Sequence, residues 1–194
     1  RSTREAAFHE EKKRIFFGLR RCDLNGIAHQ DRVFLSPKHK DPHYAAQREK
    51  SILIGFHCNT APTKWCFCGS MDLEDCYDIM LWKKPNEYLV HAKTAAGKAF
   101  LKKYAQFFKA TKHELTEKDR RTPATDLLKK RNLAALYDHP DWQKGCDLCI
   151  SCSACTVLCP SCYCHEHHEK PSLTEPDSGK RVRTWSSCQL KSFT

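Results

Sequence analysis

The chain has 194 residues, 40% of them hydrophobic and 29% charged, with a formal net charge of +10. That length allows one sizeable core, or a core with a small second domain. No apolar run approaches the roughly 20 residues that span a bilayer, and no secretory apolar stretch stands near the start.

Residues 1–13 are polar and charged and read as a tail or a helix. Arg14-Ile15-Phe16-Phe17-Gly18-Leu19 is a short apolar run of the kind that forms a buried strand, and it leads directly into Arg20-Arg21-Cys22-Asp23-Leu24. Asp41-Pro42 marks a turn, and His43 to Lys50 reads as a short helix. Ser51-Ile52-Leu53-Ile54-Gly55-Phe56 is a second buried-strand candidate, followed at once by His57-Cys58-Asn59. A strand, a helical connection and another strand predict parallel pairing. Cys22 and Cys58 then lie just past the carboxyl ends of neighbouring strands, where open α/β sheets usually take their ligands. In the next loop, Cys66-Phe67-Cys68-Gly69 can curl around a metal centre, so Cys22, Cys58, Cys66 and Cys68 are candidates to converge as four ligands from three loops. The competing reading is that some are small buried hydrophobes, as free cysteine often is.

Asp78 to Trp82 and Tyr88 to Ala92 flank Lys83-Lys84-Pro85-Asn86-Glu87, a hairpin pattern. From Ala95 to Phe108 the residues Phe100, Leu101, Tyr104, Phe107 and Phe108 recur at helical spacing, an aromatic stripe expected to pack into a core. Thr122-Pro123 reads as a helix start running through Leu127 and Leu128, and a short helical piece from Asp138 through Trp142 leads toward the cysteine-rich end. The expected fold is α+β: an N-terminal α/β part over residues 1–115, then a cysteine-rich, helical, ferredoxin-like part over residues 116–194. The absence of an initiator Met and the abrupt ending at Thr194 suggest a piece of a longer protein.

Seven of the thirteen cysteines fall between Cys146 and Cys164. That clustering points away from an exported disulfide framework and toward a metal protein in a reducing, anaerobic cytoplasm. Cys149, Cys152, Cys155 and Cys159 with Pro160 read C-x2-C-x2-C-x3-C-P, the bacterial-ferredoxin run for an iron–sulfur cluster. Three thiolates at that spacing let one tight coil face several corners of a small cluster while its amides turn toward the cluster sulfurs. A zinc ion more often takes two cysteine pairs across a longer loop. In two-cluster ferredoxins the fourth cysteine of the run serves the other cluster. Cys159 therefore either completes the first site or joins Cys162, Cys164 and Cys188 in a local second one. Cys76 and Cys146 have no assigned role, and His165, His167 and His168 read as a solvated polar turn.

With these residues in view, the chain resembles the beta subunit of the soluble nickel–iron hydrogenase/sulfur reductase (sulfhydrogenase) family. Arg14 through Leu24, Arg32-Val33-Phe34-Leu35, Asp41-Pro42-His43-Tyr44, Cys58 through Met71, Cys149 through Cys164, and Arg183-Thr184-Trp185-Ser186-Ser187-Cys188 match its blocks in order. The chain departs from the pattern at Arg21, Asp72, Ser186 and His165-Glu166, and it lacks the second ferredoxin motif that members carry further on. The resemblance implies a non-catalytic electron-transfer subunit with several [4Fe–4S] clusters. Its partners would be a flavin subunit handling a nicotinamide nucleotide and the small hydrogenase subunit. The excess of Lys and Arg is scattered, as suits a solvated face or a dock for an acidic partner. A zinc-dependent nucleic-acid-binding protein is the alternative from another class, but no basic stripe interleaved with exposed aromatics supports it. A third reading has the chain itself reduce sulfur, with Cys188 or Cys76 acting on polysulfide.

Overall fold

The computed structural model describes residues 12–175, 178–190 and 193, so the tail or helix expected at 1–13 lies almost entirely outside the described residues. Two units are present, Arg1–Lys129 and Lys130–Thr194.

The first unit is built on a four-stranded sheet in the order β1-β2-β3-β4, with β1 (Arg14–Leu19), β2 (Ser51–Phe56), β3 (Ile79–Lys83) and β4 (Tyr88–Ala92). β1 pairs parallel with β2 and β2 parallel with β3, while β3 and β4 form the expected antiparallel hairpin. The β1–β2 register slips between Phe17 and Leu19, at Gly18, whose φ of 85° favours glycine. Leu53, Tyr77, Ile79, Met80 and Trp82 are buried along the central strands, with Leu24 packed onto them.

β1 was expected to be a buried strand. It lies at the sheet margin, and Ile15, Phe16 and Phe17 are all exposed. The apolar run gave the strand, but its place in the sheet depends on which neighbours cover it.

A 14-residue helix that periodicity did not predict, α1 (Arg21–Phe34), follows β1. Asn25 and Gly26 are poor helix formers, yet Asn25 is tied in place from outside. Its amide donates to the Glu74 carbonyl at 2.9 Å and its Oδ1 accepts from the Glu74 N–H at 2.9 Å. Asp23 Oδ2 accepts from the Arg20 N–H at 2.9 Å and fixes the helix start. A Cβ on Gly55 would stand 2.9 Å from Leu24 Cδ1 and 2.7 Å from Met80 Sδ, so glycine in β2 lets α1 approach the sheet. Cys22 thus sits in the first turn of a helix rather than in a loop. α2 (Pro42–Glu49) forms as expected, its Asp41 carboxylate accepting from the Tyr44 N–H at 2.7 Å.

α3 (Ala95–Lys103) confirms the helix at that position, with a short 3-10 turn at Ala105–Phe107. The stripe is only partly a core element. Phe100 and Tyr104 pack with ring centroids 4.9 Å apart, but Phe107 and Phe108 are exposed because the regular helix stops before them.

The helix expected from Thr122 does not form. The helical turn, α4 (Glu117–Arg120), comes before it and is capped by Thr116. Residues 122–128 form an irregular strap whose hydroxyls bond tertiary partners. Thr122 Oγ1 donates to the Cys58 carbonyl at 2.9 Å, and Thr125 Oγ1 accepts from the Gly69 N–H at 3.0 Å. These bonds, with Trp82 Nε1 donating to the Asp119 carbonyl at 2.9 Å, hold residues 116–129 in the first unit. The division therefore falls at 129/130 instead of 115/116.

The second unit has little helix: α5 (Asp141–Asp147) and the single turn α6 (Ala154–Val157). It also holds an antiparallel hairpin, β5 (His165–Pro171) and β6 (Gly179–Trp185), which the helical expectation did not include. His165, His167 and His168 therefore lie in a strand and not in a turn. The observed architecture is mixed helix and sheet throughout.

Candidate metal centres

In the second unit the cysteine run is a coil wound tightly by left-handed residues. Ser151 and Ser153 have φ of 55° and 61°, conformations that non-glycine residues seldom adopt. Two such residues three positions from end to end turn the backbone sharply between Cys149, Cys152 and Cys155. Alternation of this kind makes the concave amide-lined nests that favour anions. The thiols of Cys149, Cys152 and Cys155 are exposed, while Ser153 among them is only 6% exposed. Its Oγ has no hydrogen-bond partner among the described residues.

Cys159 follows α6, and Ser161 Oγ lies 3.1 Å from its Sγ. That side-chain hydrogen bond pulls the Cys159 thiol below its ordinary value. The Cys162 N–H donates to the Cys159 carbonyl at 3.1 Å, and the Ser186 N–H donates to the Cys164 carbonyl at 3.1 Å. The hairpin thereby returns the chain to the cysteine run, with Cys188 two residues beyond Ser186. Ser187, fully buried, holds this return by a close hydroxyl contact to Thr156 and by accepting from the Gln189 N–H at 3.1 Å.

In the first unit Cys22, Cys58, Cys66 and Cys68 occupy the carboxyl ends of β1 and β2 and the following loop. Their thiols are near enough to act on one another. Burial pushes Cys58 up, Arg20 opposes this, and the charges of Cys68 and Cys66 push it up further. Burial also raises Cys22, helped by Asp23 and, more weakly, by Cys58. Cys66 is lowered instead, chiefly by its hydrogen bond with Thr63 Oγ1 at 3.5 Å. Arg20, which sequence reasoning passed over, sets a cation here: its guanidinium lies 5.4 Å from the Phe56 ring centroid, beside Cys58. Cys76 packs against the hydrophobic core, which accounts for it as a structural residue.

All thirteen cysteines are free. Among the described residues no three of His, Cys, Asp and Glu stand close enough together to hold a single metal ion. A cuboidal cluster spaces its thiolates more widely than one tetrahedral ion does. The donor set is also right for it: soft thiolates, left-handed backbone between them, and a buried hydroxyl with no partner. These residues fit an iron–sulfur cluster. Sequence reasoning missed Ser153, Thr122 and Thr125, whose roles depend on contacts that spacing does not encode. For Ser153 the available signal was a serine in the cap position ahead of Ala154.

The described residues include no helix long and apolar enough to cross a membrane. Residues 148–194 match the family described as "4Fe-4S dicluster domain", so the cofactor of this segment is the [4Fe–4S] cluster. The chain is 30% identical over 189 residues to Sulfhydrogenase 2 subunit beta of Pyrococcus furiosus. That alignment covers 91% of this chain and 55% of the relative, so the chain spans about half the length of the curated relative it matches. No solved structure matches the chain significantly.

Proposed function

We propose that this chain, a homologue of the sulfhydrogenase beta subunit carrying [4Fe–4S] clusters, relays single electrons between a flavin subunit that handles a nicotinamide nucleotide and a hydrogenase or sulfur-reducing subunit. The observation that carries this reading is the left-handed coil at Ser151 and Ser153, which threads the ferredoxin run. Bound clusters supply one-electron chemistry, and the protein's task is to hold and insulate them. Cys149, Cys152 and Cys155 hold one cluster. Cys159 either completes that site or joins Cys162, Cys164 and Cys188 beside the hairpin neck.

Cys22, Cys58, Cys66 and Cys68 hold a further cluster in the first unit. Support comes from their mutual electrostatic influence and from Arg20, whose charge suits a site that gathers thiolates. Thr122 and Thr125 strap the loops that carry Cys58 and Cys68. The setting is a reducing cytoplasm, where such thiols stay unoxidised. The scattered positive charge suits docking to acidic faces of partner subunits.

Anaerobic reconstitution followed by iron and sulfide analysis tests this. About four irons and four sulfides per cluster, with EPR signals from each reduced cluster, are expected. Changing Cys152→Ser should remove one signal and Cys58→Ser another. A reconstituted chain with one iron or fewer, or with zinc alone, defeats the reading.

A further inference from the structure

We propose that the Ser153 hydroxyl donates a hydrogen bond to the cluster held by Cys149, Cys152 and Cys155, and so raises its reduction potential. This rests on the cluster reading above and adds a tuning residue to it.

Ser153 stands at the N-cap of α6, where a serine normally turns its Oγ back onto an amide of the first turn. Here the cap is left-handed, with φ 61° and ψ 4°, and no side-chain cap bond forms. The carbonyl does the capping work, accepting from the Thr156 N–H at 3.1 Å, the Val157 N–H at 3.0 Å and Thr156 Oγ1 at 2.9 Å. The hydroxyl is left buried and, among the described residues, unpaired inside the coil that joins Cys152 to Cys155.

Unpaired buried groups are disfavoured enough that each calls for a partner. Among the described residues, the other buried side-chain atoms without a partner are Nε of Arg21 and of Arg120, whose guanidinium groups are otherwise engaged with Asp75. Ser153 is different, because its entire polar group is unused. The neighbouring buried hydroxyl of Ser187 makes the contrast plain, being paired with Thr156 and with the Gln189 amide.

A hydroxyl can donate or accept, but thiolates and inorganic sulfides only accept, so the proton points to sulfur. Donation draws electron density from the sulfur. It stabilises the reduced cluster, which carries the extra negative charge, and moves the potential upward.

The test uses the full chain, reconstituted anaerobically as wild type, Ser153→Ala, Ser153→Gly and, as a control, Thr174→Ala, which removes an exposed hydroxyl between β5 and β6, outside the cysteine run. Glycine adopts φ near 61° without strain and lacks the hydroxyl, so it separates the hydrogen bond from backbone effects. Iron and sulfide per chain, the midpoint potential from an EPR-monitored titration, and exchangeable-proton couplings by ENDOR are read together. Both Ser153 variants should keep wild-type iron, lose one exchangeable coupling and shift the potential negative by a similar amount, with Thr174→Ala unmoved. Equal potentials at equal iron content would overturn the proposal. So would loss of iron from both variants, since the hydroxyl would then serve assembly and not tuning. A wild-type chain without iron would fail the underlying cluster reading first, and it is told apart by its own iron analysis.

Discussion

Replacing Thr125 by valine tests whether the strap over the first unit is held as described. Thr125 is fully buried, and its Oγ1 both donates to the Thr122 carbonyl at 2.7 Å and accepts from the Gly69 N–H at 3.0 Å. Valine keeps the shape, so no cavity opens, but it leaves a buried carbonyl and a half-buried amide without their partner. An unpaired buried group costs ~1–3 kcal/mol, and the Gly69 amide retains some access to water, so the sum is about 2 kcal/mol. That corresponds to about a 30-fold faster exchange of the Gly69 amide if the strap opens locally. The urea midpoint of the apo chain should fall, amide exchange at Gly69 should accelerate, and iron uptake at the cluster site proposed to include Cys68 should weaken. A loss below ~0.5 kcal/mol, with Gly69 exchanging as in wild type, would show that the strap is not what fixes the Cys66–Cys68 loop.

Three further outcomes follow from the geometry of the first unit and the cysteine environments. Gly97→Ala would place a Cβ 2.2 Å from the Asp78 carbonyl oxygen, so a loss of about 3 kcal/mol, or failure to fold, is expected in a thermal melt. Tyr77, buried and near Asp75, has its phenol raised to about 12 from 10.0. Because the folded value is the higher one, its contribution is complete below pH 10.0 and is lost as pH rises toward about 12, and Tyr77→Phe should remove this alkaline sensitivity from a stability-against-pH series. In the cluster-free chain, Cys66 and Cys159 are lowered while Cys22, Cys58 and Cys76 are raised. Iodoacetamide mapping by mass spectrometry should therefore label the first pair before the other three, and the reverse order would contradict those assignments.

Much of the strand framework was legible because it is written in short-range pattern. The β-branched and aromatic runs at 14–19, 51–56 and 79–92 gave all four strands of the sheet, and the helical connection gave its parallel pairing. The ferredoxin run was legible for the same reason, since its spacing is its chemistry. What was not legible depends on distant partners. α1 contains Asn25 and Gly26 and is stabilised by bonds to Glu74, about fifty residues away. Thr122-Pro123 has the composition of a helix start, but its hydroxyl is used by the Cys58 carbonyl. The β5–β6 hairpin is almost wholly polar and exposed, so no alternation marked it; Arg181 and Glu169 pair across it in contact that only the register reveals. Within the site, the thiols were visible, whereas Arg20 and Ser153 acquire meaning only from burial and neighbours.

The kink at Gly18 bears on how the molecule behaves in concentrated solution. Among the described residues, Ile15, Phe16 and Phe17 present a greasy ribbon at an open ladder margin, the sort of template on which a second copy adds a strand and polymerises. A register slip interrupts that template after four residues, and only glycine takes the required φ of 85° without strain. A straightened margin, as in a Gly18→Val chain, would join solubility to folding as a hazard, and handling of the isolated chain would become limited by precipitation.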